Sequence, residues 1–256
     1  MKRIKPQHFL ILLLVAAIAA APFLIRGLID RSSVGKQPAA AVTAAPEETA
    51  EPTPTPAPTP LQFTTVDASY FDDALFIGDS RTVGIAEYGS LKNATYFADV
   101  GLNVYVAQTK AIAVKNVGTV TLPQLLSQKT FGKVYIMLGI NELGTGTAES
   151  WAAQYKVLLD EVRELQPDAI IFLQGIFHTT QEKSDATFFK NSTIDARNAE
   201  LQKLADNETV FYIDCNPVFD DSTGALTPEY SGDGVHVKAA YYSMWRDYLF
   251  QFGVVK

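Results

Sequence analysis

Cysteine is nearly absent from this chain. Cys215 is the only one, so no intrachain disulfide can form. The neighbouring segment Val210-Phe211-Tyr212-Ile213 is apolar, which predicts a small buried side chain rather than a reactive thiol. The fold must therefore depend on a hydrophobic core, and the roughly 195 residues that follow the first 60 are enough for one domain.

Histidine is scarce as well, with three in the sequence. Because His8 lies in an N-terminal leader, a general base in the folded domain must be His178 or His236. Two histidines in separate segments do not form a metal-ligand cluster. We therefore expect no metal and no other cofactor.

Basic residues are in deficit. Beyond residue 60 the chain carries 15 Lys and Arg against 24 Asp and Glu, a net charge of −9. A domain of this charge repels phosphate backbones. Nucleic acid is thus not an expected partner.

The N-terminal residues indicate export. Three basic residues precede an unbroken apolar stretch over residues 9–25. We predict a cytoplasmic leader over residues 1–8 and a transmembrane signal-anchor over residues 9–29. A cleaved signal peptide is the alternative, because cleavage after Ala19 would satisfy the small-residue rule. Either interpretation places the rest of the chain outside the cell membrane.

Residues 30–60 are rich in Ala, Pro and Thr and poor in large apolar side chains. Such a segment stays extended and can reach about 90 Å. We predict an extracytoplasmic linker, either a stalk that carries the folded domain into or beyond a cell-wall layer or a passive spacer. The folded domain is expected over residues 61–256.

Apolar runs and helical patterns alternate along this domain. The predicted strands are Ala74 to Ile77, Ala94 to Phe97, Lys133 to Leu138, Ala169 to Gln174 and Val210 to Ile213. The predicted helices are Thr82 to Tyr88, Leu122 to Gln128, Ala148 to Leu165, Ser192 to Ala205 and Lys238 to Gln251. This order predicts an α/β fold with a central parallel sheet of about five strands, covered on both faces.

Ser80 is the candidate nucleophile. The first predicted strand stops at Gly78-Asp79-Ser80, and a helix follows. A serine at such a sharp strand-to-helix turn presents its hydroxyl at the carboxyl end of the sheet, where ligands collect in open α/β folds. An unassisted serine hydroxyl is a poor nucleophile, so it needs partners.

Two later segments can supply donors at the same sheet edge. Asn141 directly follows the predicted strand that begins at Lys133, and its amide can donate to a developing oxyanion. Gly101 can offer a backbone N–H to the same oxygen. Taken alone, Asn141 also fits a helix cap or a turn, and Gly101 fits an ordinary turn glycine.

Asp233 and His236 form the candidate base. They stand three residues apart on a predicted turn, so the carboxylate can hold one imidazole nitrogen and fix the tautomer. His178 follows a predicted strand end without a comparable companion in sequence. It fits a residue of the pocket wall or an ordinary loop histidine.

Four blocks together resemble the GDSL, or SGNH, hydrolase superfamily: Gly78-Asp79-Ser80, Gly101, Gly139-Ile140-Asn141 and Asp233-Gly234-Val235-His236. The resemblance covers nearly all of residues 70–252. It implies a flavodoxin-like three-layer α/β/α sandwich and a serine esterase or acylhydrolase. It also implies roles for single residues: Ser80 as nucleophile, His236 as base, Asp233 as its orienting carboxylate, and Ser80 N–H, Gly101 N–H and the Asn141 amide as the oxyanion hole.

Two residues depart from the family pattern, because Arg81 replaces the usual leucine and Glu142 replaces the usual aspartate. A cation in the first turn of a helix opposes the helix dipole, so Arg81 needs an anionic companion. Asp79, Glu142 or a substrate carboxylate can serve. We take Arg81, Glu142 and His178 as candidate substrate contacts.

The resemblance and the export signals together predict a membrane-tethered, extracytoplasmic esterase that removes acetyl or other small acyl groups from cell-wall or capsular carbohydrate. The expected partners are an acylated glycan or small ester, and the membrane through the N-terminal helix. Tyr105 and Phe188 are among the aromatic residues that could stack on sugars, although such residues are more often core or loop anchors. A glycan O-acetyltransferase with the same site, or a non-catalytic glycan-binding module on a stalk, stays open as an alternative.

Overall fold

The computed structural model describes residues 62–255. The predicted leader, anchor and linker lie outside the described residues. Among the helices between residues 62 and 255, none combines the length and hydropathy that a membrane crossing requires.

The strands form one large and one small sheet. Their bounds are β1 Ala74–Gly78, β2 Thr95–Ala98, β3 Ile112–Val114, β4 Gly118–Val120, β5 Lys133–Met137, β6 Ile170–Gln174 and β7 Val210–Ile213. The large sheet has five strands in the order β2-β1-β5-β6-β7, and every pair in it is parallel. The predicted parallel sheet is confirmed. Sequence analysis missed the antiparallel pair β3–β4, whose strands of three residues each are too short for a periodic pattern.

The described region contains six α-helices, of which the last follows the final strand. They are α1 Ser80–Tyr88, α2 Leu122–Gln128, α3 Ala148–Leu165, α4 Gln181–Ala186, α5 Asn191–Gln202 and α6 Tyr242–Leu249. The short helix α4 was not predicted. The predicted helix from Lys238 to Gln251 is wrong in its extent, because 3₁₀ turns at Ala239–Tyr241 and Phe250–Phe252 flank a shorter α6.

The two faces of the sheet bury different side chains. On β1, Leu75 and Ile77 belong to a largely aliphatic cluster with residues of α2, α3 and α5. Their neighbours Ala74 and Phe76 belong to a second cluster with residues of α1 and α6. Side chains alternate across a strand, so a strand buried on both faces reads as one continuous apolar run. The α/β/α layering that the sequence predicts is thus confirmed.

A row of aromatic rings crosses the second face. Phe76, Tyr135 and Phe172 are register partners on β1, β5 and β6. Their ring centroids lie 4.6 and 4.5 Å apart in turn. Such cross-strand contacts fix the register of the three central strands.

Strand order determines where the functional segments meet. The chain passes from β1 to β2 on one side of it and later returns to β5 on its other side. This reversal is a topological switch point, at which the segments following adjacent parallel strands leave a crevice at the carboxyl edge. The segments that follow β1, β2 and β5 contain Ser80, Gly101 and Asn141 respectively.

Candidate active site

Ser80 is the first residue of α1, directly after a sharp turn. The Asp79 side chain caps the helix by accepting the Arg81 N–H at 3.0 Å. Gly78 leaves room for the turn, since a Cβ at that position would collide with the Thr82 side chain and the Met137 carbonyl. This local geometry leaves Ser80 half-buried at the sheet edge.

Ser80, His236 and Asp233 form a continuous hydrogen-bonded chain. The Ser80 Oγ lies 2.9 Å from His236 Nε2, and His236 Nδ1 lies 2.7 Å from Asp233 Oδ2. The second oxygen of Asp233 accepts the N–H groups of Val235 and His236, each at 2.8 Å. Burial tends to raise the pKa of Asp233, but these hydrogen bonds lower it further than burial raises it. A carboxylate therefore faces the imidazole.

The turn that carries His236 is held from two sides. The Ser231 Oγ donates to the His236 carbonyl at 2.8 Å, and the Thr180 N–H donates to the Gly234 carbonyl at 2.9 Å. Gly234 has φ +81°, and a Cβ there would come within 2.7 Å of Thr180 Oγ1. Only glycine fits both the conformation and the space.

Three candidate donors lie in the segments that follow β1, β2 and β5. Asn141 Nδ2 donates to the Leu102 carbonyl at 2.9 Å, which orients the amide and leaves its second hydrogen for another acceptor. The Asp99 N–H donates to the Gly78 carbonyl at 3.2 Å and ties the Gly101 loop to the turn before Ser80. Within residues 62–255, the N–H groups of Ser80 and Gly101 have no hydrogen-bond acceptor. The geometry can thus offer three donors to an anionic oxygen.

Glu142 is buried and links two loops, so its assignment to substrate binding is corrected. Its side chain is 4 % exposed, and Oε1 accepts the Val104 N–H at 3.0 Å and the Trp151 Nε1–H at 3.2 Å. Burial raises its pKa, and hydrogen bonds offset only part of that rise. Glu142 thereby fixes the Gly101 loop to the Asn141 loop.

Arg197 of α5 secures the Asn141 loop from beneath. It is fully buried and donates to the carbonyls of Gly139, Glu142 and Thr145 at 2.9, 2.6 and 2.9 Å. Sequence analysis missed this residue. No signal could have found it, because α5 reads as an ordinary polar helix and the acceptors lie more than fifty positions away along the chain.

The assignment of Arg81 to substrate binding also needs correction. The side chain is fully buried and forms a paired contact with Asp79, from Nε to Oδ1 at 3.1 Å and from Nη2 to Oδ2 at 2.7 Å. A guanidinium packed in this way cannot reach a bound ester. Of the companions that the sequence left open, the pairing with Asp79 is the one observed.

His178 uses both ring nitrogens within the protein. Nδ1 lies 2.7 Å from Asp220 Oδ2, and Nε2 lies 2.8 Å from Asp195 Oδ1. Burial tends to lower its pKa, but hydrogen bonds to the two carboxylates raise it to about 9. A charged imidazole with no free nitrogen is neither a base nor a substrate contact. The substrate-binding assignment of His178 is therefore corrected as well.

Comparison with protein families gives a match over most of the described region. The sequence profile of the GDSL-like lipase/acylhydrolase family matches residues 76–244. This range contains Ser80, Gly101, Asn141, Asp233 and His236. No curated protein matches the chain.

Solved structures with the same fold have low sequence identity. One, described provisionally as a platelet activating factor from Streptococcus pneumonia, is 21% identical with a TM-score of 0.54, covering 69% of this chain and 83% of its own. A GDSL-like lipase from Bacteroides thetaiotaomicron is 15% identical with a TM-score of 0.52, covering 70% and 87%. At these identities the likeness concerns the fold.

Proposed function

Because the chain belongs to the GDSL-like lipase/acylhydrolase family and is a hydrolase of ester bonds, we propose that it is a membrane-tethered, extracytoplasmic serine esterase that removes acetyl or other small acyl groups from cell-wall or capsular carbohydrate. The observation that carries the mechanism is the hydrogen-bonded chain from Asp233 through His236 to the Ser80 hydroxyl. It joins a carboxylate, a base and a nucleophile in the order that acyl transfer needs.

In the proposed reaction Ser80 Oγ attacks the ester carbonyl carbon while His236 Nε2 takes the hydroxyl proton. Asp233 holds the other imidazole nitrogen and stabilises the cation that forms. The carbonyl oxygen becomes an anion and is bound by the N–H groups of Ser80, Gly101 and Asn141. His236 then protonates the leaving alkoxide as its bond to carbon breaks, which leaves an acyl ester on Ser80.

Water completes the cycle by the same route. His236 removes a proton from a water molecule, and the resulting hydroxide adds to the acyl carbon. The carboxylic acid departs as His236 returns the proton to Ser80 Oγ. A sugar hydroxyl in place of this water would make the enzyme an acetyltransferase, so the acceptor decides between the two activities.

The preference for a small acyl group is supported by the fixed loops around Ser80. Glu142 holds the Gly101 loop, and Arg197 holds the Asn141 loop through three carbonyls. Both side chains are buried. Loops held in this way favour a preformed site for a short acyl group over an opening for a long chain. The extracytoplasmic tether depends on the sequence of residues 1–60 alone.

The full-length protein provides the test. We expect it to hydrolyse 4-nitrophenyl acetate faster than the octanoate, to be labelled at Ser80 by a fluorophosphonate, and to release acetate from O-acetylated wall polymers. Absence of both hydrolysis and label would indicate a binding module instead. Acetylated oligosaccharide formed in place of free acetate would indicate a transferase.

A further inference from the structure

A cavity of about 480 Å³ with a mixed polar and apolar lining lies beside the catalytic turn. One wall comes from α4 and the residues around it, and the other comes from the turn that carries Asp233. The side chains that border it include an amide, carboxylates, an ammonium group and hydroxyls, contributed by Gln181, Glu182, Lys183, Thr187, Ser231 and Asp233. Donors and acceptors are both present, so the lining suits a neutral polyhydroxyl compound better than an acyl chain.

This cavity borders one member of the Ser80–His236–Asp233 chain. Asp233 borders it, and the same side chain lies 2.7 Å from the His236 ring, whose other nitrogen lies 2.9 Å from Ser80 Oγ. The cavity is thus connected to the nucleophile through the side chains of Asp233 and His236. An ester on Ser80 could have its alcohol part extend into this space.

An exposed aromatic residue directly follows the cavity wall in sequence. Phe188 directly follows Thr187 of the cavity wall, is 58% exposed, and stacks on Phe189 with ring centroids 4.2 Å apart. A Cβ built on Gly144 would lie 3.8 Å from the Phe188 ring, so this ring also borders the loop that carries Asn141. Phe188 thus lies close to the loop that carries Asn141 and follows a residue of the cavity wall in sequence.

The arrangement fits one class of ligand. A sugar ring presents C–H groups on its faces and hydroxyls at its edge, so it can stack on an aromatic ring and form hydrogen bonds around it. We propose that the cavity and Phe188 together form a carbohydrate subsite, which binds the sugar that carries the ester or the next one along the glycan. This inference depends on the proposed function and assigns the residues that bind the sugar part of the substrate.

The experiment compares two substrates with the full-length enzyme and its variants. Phe188→Ala should raise KM for an O-acetylated oligosaccharide about three- to ten-fold, the usual value of one aromatic stacking contact. Acetylated xylotetraose and an O-acetylated muramyl disaccharide serve as probes. KM for 4-nitrophenyl acetate, which has no sugar, should stay within about two-fold. Gln181→Ala should act in the same direction.

Tyr88→Ala is the matched control, because Tyr88 is 50% exposed in the last turn of α1, away from the cavity. Equal changes with both substrates, or no change in Phe188→Ala and Gln181→Ala, would overturn the subsite. Hydrolysis of 4-nitrophenyl acetate without hydrolysis of either oligosaccharide would also overturn it, yet leave the esterase intact. If no ester is cleaved, the proposed function fails. Calorimetric titration of the Ser80→Ala protein with unacetylated xylotetraose still tests the subsite. Binding that is weakened by adding Phe188→Ala supports the subsite, and absence of binding rejects it.

Discussion

His236 and His178 each pair one ring nitrogen with an aspartate, but the other ring nitrogen has a different kind of partner in each. Each ring places Nδ1 2.7 Å from an aspartate, Asp233 in one case and Asp220 in the other. The second nitrogen of His236 meets the Ser80 hydroxyl, whereas that of His178 meets the carboxylate of Asp195. The His236 ring therefore has one nitrogen that can accept the proton of the nucleophile. The His178 ring lies between two carboxylates.

The difference shows that an aspartate alone does not make a histidine catalytic. Two carboxylates raise the pKa of His178 to about 9, so its ring stays protonated near neutral pH and acts as a cation that joins α5 to the segment after β7. A general base must instead be neutral at the working pH and have a free lone pair. The hydrogen-bond partner of the second ring nitrogen therefore separates a structural histidine from a candidate general base.

Removal of the catalytic pair should have the largest effect. Ser80→Ala or His236→Ala should lower kcat for 4-nitrophenyl acetate by at least about 10⁴-fold, because the nucleophile or its base is lost. His178→Asn is the matched control and should retain turnover within a few-fold. A comparable loss in His178→Asn would reverse the roles assigned to the two histidines.

Asp233→Asn should have the next largest effect. The amide oxygen is expected to keep the N–H groups of Val235 and His236, so the NH2 group faces Nδ1 as a donor, holds the ring in the wrong tautomer and cannot stabilise the imidazolium. We expect kcat to fall roughly 10³- to 10⁴-fold with KM little changed. Asp220→Asn tests the corresponding partner of His178 and should leave kcat nearly unaltered. Equal losses in the two variants would contradict the comparison.

Asn141→Ala should follow. Loss of one oxyanion donor costs about 100- to 1000-fold in kcat in serine hydrolases. The hydrogen bond to the Leu102 carbonyl is lost as well, so thermal unfolding should be measured beside the kinetics. Asn141→Asp, which keeps the size but replaces donors by acceptors, should be at least as damaging. Turnover that survives in both variants would exclude Asn141 from the oxyanion site.

The parts of the site that could be predicted are those fixed by local sequence. Ser80 follows an apolar strand, and Asp233 and His236 share one turn, so their places could be read from neighbouring residues. Arg197 and the link formed by Glu142 could not be predicted, because each depends on partners from other segments of the chain. A buried arginine and an exposed one have the same local pattern, and only the packing of α5 against the Asn141 loop distinguishes them.

The smallest expected effect concerns stability at the second histidine. The pKa of His178 is raised in the folded state above its ordinary value near 6.5, so folding binds a proton more tightly. This contribution is fully present below about pH 6.5 and is lost as the pH rises through about 9. The whole shift corresponds to about 3 kcal/mol, which we discount to about 1–2 kcal/mol because Asp195 is largely exposed to solvent.

Urea unfolding of the wild-type protein and His178→Asn from pH 6 to 10 measures this contribution. The difference in unfolding free energy should be about 1–2 kcal/mol at pH 6 and should shrink above pH 9. Tyr212 lines a pocket together with His178, and burial is the chief cause that raises the pKa of Tyr212, so it stays neutral over this range and does not imitate the effect. A difference that is equal at pH 6 and pH 10 would show that His178 stabilises the fold by packing alone and not through its charge.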